Sequence, residues 1–244
     1  MKLIVGGSTS FIGTTVLRQA LVHPSITSIV ALGRQEAALE LLPGSDEAAA
    51  AAKLKSIVCD DFEKYSPSVQ QALEEADACI WSIAVVPSKM KTVPWEDVCK
   101  VSRDYAVAAL KHLANGTRQI QGHPFRFVYV SGLATVRNRA EAEQSALLAA
   151  NPSLKEYMLV RGDAEVQILE FAKQSNSTVE ACIVKPGMVH GPGREKTAPG
   201  IPNIKVEEVA AAILDQVIDG FEKDTLTNDD LIRIGQAALS KWRK

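Results

Sequence analysis

The fold is decided by the stretch Lys2-Leu3-Ile4-Val5-Gly6-Gly7-Ser8-Thr9-Ser10-Phe11-Ile12-Gly13. Residues 2–5 form a short apolar run, small residues dominate the segment that follows, and residues 14–21 have the apolar spacing of a helix. This order predicts a strand, a tight turn and a helix, which together are the local structure that a dinucleotide site requires. Small residues let the backbone approach a pyrophosphate, and the helix N-terminus offers unpaired N–H groups to the phosphate charge.

The size and composition of the chain are those of a globular protein with a sizeable core. Its 244 residues suffice for one large domain, and 46% hydrophobic with 23% charged residues argues against disorder. A net charge of -2 with four histidines gives no reason to expect a nucleic-acid partner. No apolar run approaches the roughly 20 residues of a membrane span, and the N-terminal run is too short for a secretory signal. We therefore expect one cytoplasmic domain over residues 1–244, with neither nucleic acid nor membrane as partner.

The four cysteines are Cys59, Cys79, Cys99 and Cys182. They are widely spaced, lie mostly in apolar surroundings, and form no C-x-x-C pair or cluster with histidine. We interpret them as buried free thiols and expect no metal site.

Strand-like and helix-like segments alternate along the whole chain. Predicted strands after the first one cover residues 28–32, 54–59, 78–81, 125–130 and 179–184, and predicted helices cover 69–76, 95–115, 137–150, 154–175, 206–221 and 231–242. This alternation predicts an α/β fold with a doubly wound parallel sheet, a Rossmann fold, whose helices cover both faces. Ligands then bind at the carboxyl ends of the strands, and residues 187–244 form a small, largely helical segment on the substrate side.

Residues that follow the strand ends are candidate cofactor ligands. Arg34 follows the second strand, where an acidic residue would accept from a ribose 2′-OH, so an arginine favours NADP(H) over NAD(H); a solvated surface arginine is the alternative. Asp60 and Asp61 follow the third strand and are assigned to the adenine pocket, with an N-cap of the next helix as the alternative. Ser82-Ile83-Ala84 leaves the fourth strand with small residues, as backbone beside a cofactor requires.

Three motifs resemble those of extended and atypical short-chain dehydrogenases/reductases. Residues Gly7-Ser8-Thr9-Ser10-Phe11-Ile12-Gly13 resemble the glycine turn of that family, with Ser10 where its second glycine is usual. Ser131 and Tyr157 resemble the active-site serine and tyrosine. Lys185-Pro186-Gly187 resembles the proline-glycine turn beside the nicotinamide, which implies cofactor contacts for Pro186, Gly187, Met188 and Val189. The stretch YMLVRGDAE over residues 157–165 is most similar to small single-domain members related to NAD-dependent epimerases/dehydratases.

The resemblance implies a catalytic set of Ser131, Tyr157 and Arg161. Ser131 would hydrogen-bond the substrate oxygen, and Tyr157 would transfer the proton. In the family a lysine stands one helical turn after the tyrosine, where its charge favours the phenolate. Arg161 keeps the spacing and the charge, but a guanidinium does not deprotonate and cannot join a proton relay. An ion pair of Arg161 with Glu165 on the helix surface is the alternative.

These features predict an NADP(H)-dependent oxidoreductase that reduces a carbonyl, or oxidises an alcohol, of a small hydrophobic metabolite. Two alternatives stay open: an isomerase, epimerase or cyclase without net redox, and a non-enzymatic protein that senses NADP(H). Segments 85–95, 133–138 and 188–204 are the expected walls of the substrate pocket. The resemblance also implies that a homodimer would form through the helices that begin near Trp95 and Leu154.

Overall fold

The computed structural model describes residues 1–37, 46–115, 123–195, 197 and 200–242. Its strands are β1 (Lys2–Gly6), β2 (Ser28–Gly33), β3 (Leu54–Val58), β4 (Ala78–Trp81), β5 (Phe125–Val130), β6 (Val179–Val184), β7 (Met188–His190), β8 (Asn203–Lys205) and β9 (Thr225–Leu226). Seven of them form one parallel sheet in the order β3-β2-β1-β4-β5-β6-β9. The chain order reverses direction at β1, which leaves a crevice between β1 and β4 at the carboxyl edge.

The helices connect these strands. They are α1 (Phe11–Val22), α2 (Glu47–Lys53), α3 (Pro67–Leu73), α4 (Trp95–Cys99), α5 (Tyr105–Ala114), α6 (Arg139–Gln144), α7 (Ala146–Ala150), α8 (Lys155–Gln174), α9 (Val206–Asp219) and α10 (Asn228–Trp242). A π-helical turn, Lys100–Asp104, joins α4 to α5, so the long helix predicted over residues 95–115 is confirmed with one wide turn inside it. A 3-10 turn, Pro87–Thr92, precedes that helix.

Apolar side chains of the strands alternate between the two faces of the sheet. Leu3 and Val5 of β1 belong to one buried cluster with residues of α1, α9 and α10, whereas Ile4 belongs to another with residues of α5 and α8. This period of two follows from the pleat, which sends successive side chains to opposite faces. Both faces are therefore covered by helices, and the predicted doubly wound α/β fold is confirmed.

The C-terminal part of the chain contributes to the sheet and to its cover. The short strand β9 pairs with the end of β6, through Ile183↔Thr225 and Val184↔Leu226. Two residues are too few for a periodic signal, so the sequence did not predict this strand. The helix α9 packs against α1 and α10, while β7, which follows β6, pairs with β8 as a separate two-stranded parallel sheet.

The cysteines test the expectation of buried free thiols. All four thiols are free; Cys59, Cys79 and Cys182 are buried as predicted, whereas Cys99 is only half-buried. Burial raises the pKa of the Cys182 thiol to about 12, which keeps it protonated and unreactive.

Across the described ranges, every helix is too short or too polar to span a bilayer.

Gly235 allows α10 to approach α9 closely. A Cβ at this position would lie 2.2 Å from the backbone oxygen of Glu208. We expect Gly235→Ala to lower the free energy of unfolding by about 2 kcal/mol, because overpacking outweighs the gain of about 1 kcal/mol in helix propensity. Urea denaturation measures the change. Gly132→Ala is the matched control, since a Cβ there meets no atom within 4 Å; an equal loss in both variants would contradict the packing argument.

Candidate functional site

The glycine turn after β1 is packed too tightly for larger residues at two positions. Gly7 has a φ of +83°, in the region that favours glycine, and a Cβ there would lie 2.6 Å from Ser82 Oγ. A Cβ on Gly13 would lie 2.1 Å from the Gly7 carbonyl oxygen, so α1 can pack against the turn only with glycine at this place. The Gly7 N–H donates to the Leu32 carbonyl at 2.8 Å, which joins the turn to the end of β2.

Ser10 is the N-cap of α1. Its Oγ accepts a hydrogen bond from the Gly13 N–H at 3.0 Å, as a capping serine does. Ser10 Oγ is also 3.0 Å from Ser82 Oγ, and the Ser82 hydroxyl donates to the Gly6 carbonyl at 2.9 Å. With Ser10 donating to Ser82, each proton in this chain is used once. The residue that departs from the family's glycine pattern thus stabilises the turn and links it to the segment after β4.

The N-terminus of α1 leaves two backbone donors available. Thr14 N–H bonds to the Ser10 carbonyl and Gly13 N–H bonds to Ser10 Oγ, whereas the N–H groups of Phe11 and Ile12 have no acceptor among the described residues. Unpaired donors and the positive end of the helix dipole at one place favour an anion. The glycine turn, the cap and these two donors fit the diphosphate of a dinucleotide.

The ends of β2 and β3 adjoin one another on the same edge. The Cys59 N–H donates to the Gly33 carbonyl at 2.9 Å, which places Asp60 and Asp61 beside Arg34 along this edge. Arg34 is exposed and has no ion pair within the described part of the chain. The Asp61 carboxylate accepts from the Glu63 N–H at 3.0 Å, while the N-cap of α3 is Ser66, so the alternative of a helix cap at Asp60 or Asp61 is wrong.

The structure brings Tyr157 and Arg161 together, as their spacing on α8 predicts. Arg161 Nη1 donates to the Tyr157 hydroxyl oxygen at 3.3 Å, and Nη2 donates to the Val130 carbonyl at 2.5 Å. The guanidinium also lies 5.3 Å from the ring centre of Tyr129. Arg161 is 9% exposed and its described hydrogen-bond partners are neutral, so it is a buried cation rather than the surface partner of Glu165.

The segment after β4 covers Tyr157. Tyr157 is 1% exposed, and its hydroxyl donates to the Val85 carbonyl oxygen. Ser102, in the π-helical turn, also holds Val85, because its Oγ accepts from the Val85 N–H at 3.1 Å. The Ser102 carbonyl in turn accepts from the Tyr129 hydroxyl at 2.8 Å. Burial raises the pKa of Tyr129 to about 12 although the Arg161 guanidinium lowers it, so this phenol stays protonated at neutral pH.

The Ser131 hydroxyl forms a hydrogen bond with the buried carboxylate of Glu165. Its Oγ donates to Glu165 Oε1 at 2.5 Å, and Glu165 is 0% exposed. Glu165 Oε2 accepts from Arg137 Nε at 2.8 Å and lies 3.4 Å from Lys185 Nζ. Ser131 and Tyr157 thus lie at the same edge with their hydroxyl protons directed to different acceptors. Sequence reasoning missed Arg137 and the role of Glu165, although Glu165 follows Arg161 by one helical turn.

The proline-glycine turn lies beside Ser131. The Leu133 N–H donates to the Pro186 carbonyl at 2.8 Å, and the Gly187 N–H donates to Asn228 Oδ1 at 2.8 Å. A Cβ on Gly187 would lie 2.0 Å from the Pro202 carbonyl oxygen, which explains the glycine. Met188 and Val189 follow in β7 and are half-buried. Of the expected pocket wall 188–204, residues 196, 198 and 199 lie outside the described residues.

Comparison with known proteins gives the fold. No protein-family profile matches the chain, and no curated protein matches it by sequence. Similar solved structures include vestitone reductase from alfalfa, with 17% identity, a TM-score of 0.62, and coverage of 93% of this chain and 76% of that one. A putative NAD-dependent epimerase/dehydratase from Bacillus halodurans has 16% identity and a TM-score of 0.60, covering 97% of this chain and 99% of its own. UDP-glucose 4-epimerase from Thermotoga maritima has 11% identity and a TM-score of 0.63, covering 100% of this chain and 84% of its own.

These likenesses confirm the predicted resemblance at the level of the fold. By their own descriptions the neighbours are a reductase, an epimerase/dehydratase and an epimerase, and what they share with this chain is the α/β Rossmann fold. Fold does not determine activity, which depends on the particular side chains at the carboxyl edge.

The capping role of Ser10 makes a prediction about stability. Ser10→Ala should lower the free energy of unfolding by about 1 kcal/mol, and Ser10→Gly by only a few tenths, because glycine is tolerated at an N-cap. Both variants lose the hydrogen bond to Ser82, so the difference between them reports the cap itself. Thermal and urea unfolding measure both values, and an alanine variant as stable as the glycine variant would contradict the cap assignment.

Proposed function

We propose that this protein binds NADP(H) at the carboxyl edge of its sheet and acts as an oxidoreductase of the short-chain dehydrogenase/reductase type. Its substrate would be a carbonyl, or the corresponding alcohol, of a small hydrophobic metabolite. The proposal takes residues 1–244 as one unit, with residues 187–244 on the substrate side. The observation that carries it is the turn of Gly7 and Gly13, capped by Ser10, which leaves the Phe11 and Ile12 N–H groups available for a diphosphate.

The preference for NADP(H) over NAD(H) rests on Arg34. A guanidinium at the end of the second strand can form a bidentate contact with a 2′-phosphate, whereas NAD(H) carries a hydroxyl there. Arg34 is exposed and has no ion-pair partner in the described part of the chain, so its charge is available to a ligand. Gly33, directly before it, lets the ribose approach the backbone.

Tyr157 is the proposed proton donor. When bound, the nicotinamide would supply or accept the hydride. Tyr157 would give its hydroxyl proton to the substrate oxygen, and Arg161 Nη1, 3.3 Å from that hydroxyl oxygen, would stabilise the phenolate that remains. Arg161 does not release a proton at neutral pH, so the phenolate must be reprotonated by another group or by water. Because the Tyr157 hydroxyl bonds to the Val85 carbonyl, the Val85 peptide has to move before a substrate can reach it.

A second candidate function is binding of NADP(H) without net redox. The observation that favours it is the burial of Tyr157 under Val85, together with a cation that cannot relay protons. Such a protein would sense NADP(H) or catalyse an isomerisation in the same pocket. A product of unchanged mass without a change in NADPH absorbance supports the isomerase, and partner capture that depends on NADPH supports the sensor.

Reversing the charge of Arg34 tests the cofactor assignment. Arg34→Glu should weaken NADPH binding by at least about tenfold and leave NADH binding within about threefold, because only NADPH loses a charged contact. Fluorescence titration with each cofactor measures both affinities. Lys173→Glu is the control, since Lys173 is an exposed residue in the last turn of α8, at the opposite end of that helix from Tyr157. Equal weakening of both cofactors by Arg34→Glu would argue against a 2′-phosphate contact.

Removing one hydroxyl tests the proton donor. Tyr157→Phe should lower the rate of NADPH oxidation with a carbonyl substrate by about 100-fold or more, while NADPH affinity stays within about twofold. Tyr65→Phe is the matched control, because Tyr65 is also buried and its hydroxyl has no partner among the described residues. Consumption of NADPH across a panel of aldehydes and ketones is the measurement. Full activity of Tyr157→Phe would remove the proposed mechanism.

A further inference from the structure

The buried carboxylate of Glu165 is not used by the reaction proposed above. It lies at 0% exposure between two cations, with Arg137 Nε at 2.8 Å and Lys185 Nζ at 3.4 Å from its Oε2. A buried charge is costly unless it is paired, and here two cations pair it. Its other oxygen, Oε1, accepts from Ser131 Oγ at 2.5 Å, a length found for hydroxyl bonds to ionised carboxylates. Glu165 therefore acts as an acceptor on both of its oxygens.

This arrangement determines what Ser131 can offer to a ligand. A serine hydroxyl has one proton and two lone pairs, and the proton of Ser131 is donated to Glu165. The remaining lone pairs can only accept a hydrogen bond. A ketone oxygen also has lone pairs only, so it gains nothing from Ser131 as held. A hydroxyl group of a ligand, in contrast, can donate to Ser131 Oγ.

We propose that Glu165 is a positioning residue that fixes the direction of the Ser131 hydroxyl, so that the site holds its substrate through a donating hydroxyl group. The inference rests on the proposed function and narrows its substrate class to alcohols and polyols, which bind more tightly than the matching ketones. The Tyr157 proton is donated to Val85 in this structure, so until the segment after β4 moves, Ser131 is the hydroxyl whose polarity a ligand meets.

Glu165→Gln reverses the polarity without changing the size of the side chain. The amide oxygen has to face Arg137 and Lys185, which are both donors, so the amide nitrogen is placed next to Ser131. That N–H then donates to Ser131 Oγ, and the serine proton becomes available to a ligand. The variant should therefore turn Ser131 from an acceptor into a donor, a change that loss of stability alone would not produce.

The experiment compares 1-phenylethanol with acetophenone, a matched alcohol and ketone. Binding is measured by ligand-observed NMR in the NADP⁺ complex of Tyr157→Phe, which blocks turnover. We expect this protein to bind the alcohol about tenfold tighter than the ketone, and Glu165→Gln in the same background to abolish or invert that ratio. Glu156→Gln, an exposed glutamate on the same helix, is the control and should leave the ratio unchanged.

Ser131 provides a second test that leaves the ion pairs of Glu165 intact. Ser131→Ala should reduce alcohol binding to the level of the ketone, and Ser131→Thr should restore the preference because it keeps the hydroxyl. These two variants test the role of the Ser131 hydroxyl if Glu165→Gln does not fold. The inference would be overturned if the ketone bound as tightly as the alcohol. It would also be overturned if no pair in a wider panel of matched alcohols and ketones showed a preference for the alcohol.

The same measurements separate this inference from the proposed function. NADPH affinity is determined for each variant alongside the alcohol and the ketone. Absence of NADPH binding to the wild-type protein would contradict the proposed function itself. Normal NADPH binding, with an alcohol-to-ketone ratio that Glu165→Gln or Ser131→Ala does not change, would contradict only the role of Glu165.

Discussion

The carboxyl edge of this protein depends on a buried cation and a buried anion that lie one turn apart on α8. Arg161 and Glu165 are both removed from water, and each must find partners inside the protein. Arg161 takes neutral ones, the Tyr157 hydroxyl and the Val130 carbonyl, and packs on the ring of Tyr129. Glu165 takes Arg137, Lys185 and Ser131. Except for Tyr157, which lies on α8 itself, these partners come from β5 and from the connections after β5 and β6, so the two charges determine how α8 is joined to the sheet.

An arginine suits this position for geometric reasons. Its planar guanidinium reaches two acceptors at once, so it can bond to Tyr157 on its own helix and to Val130 at the end of β5. A lysine is a compact charge with a flexible stem and would not hold both contacts in one plane. An arginine in place of a lysine therefore strengthens the link between α8 and β5 and keeps a positive charge beside the Tyr157 hydroxyl. A guanidinium does not exchange a proton at neutral pH, so in the proposed reaction charge stabilisation and proton supply would be tasks of different groups.

Much of the fold could be predicted from the sequence, because its signals are local. Buried parallel strands appear as apolar runs, so β2 to β6 were placed within about a residue at each end. The apolar spacing predicts that α1 begins at Thr14, whereas it begins at Phe11, so the sequence pattern does not indicate the capping role of Ser10. Tyr157 and Arg161 were paired correctly because both lie on one helix face. The contact of Ser131 with Glu165 was not predicted, since it joins residues far apart in sequence and depends on how α8 packs on the sheet.

Donors and acceptors are distributed unequally along the carboxyl edge. At the glycine turn, the N–H groups of Phe11 and Ile12 have no acceptor among the described residues, and these two donors suit a phosphate. At the ends of β5 and β6 the hydroxyl protons are already donated, from Ser131 to Glu165 and from Tyr157 to Val85. The glycine turn is therefore complementary to an anion, whereas the ends of β5 and β6, as their hydroxyls are held here, are complementary to a hydrogen-bond donor. The groups that fit these two places differ in hydrogen-bonding character, with a phosphate at the glycine turn and a hydrogen-bond donor at the ends of β5 and β6. They can belong to one ligand or to two.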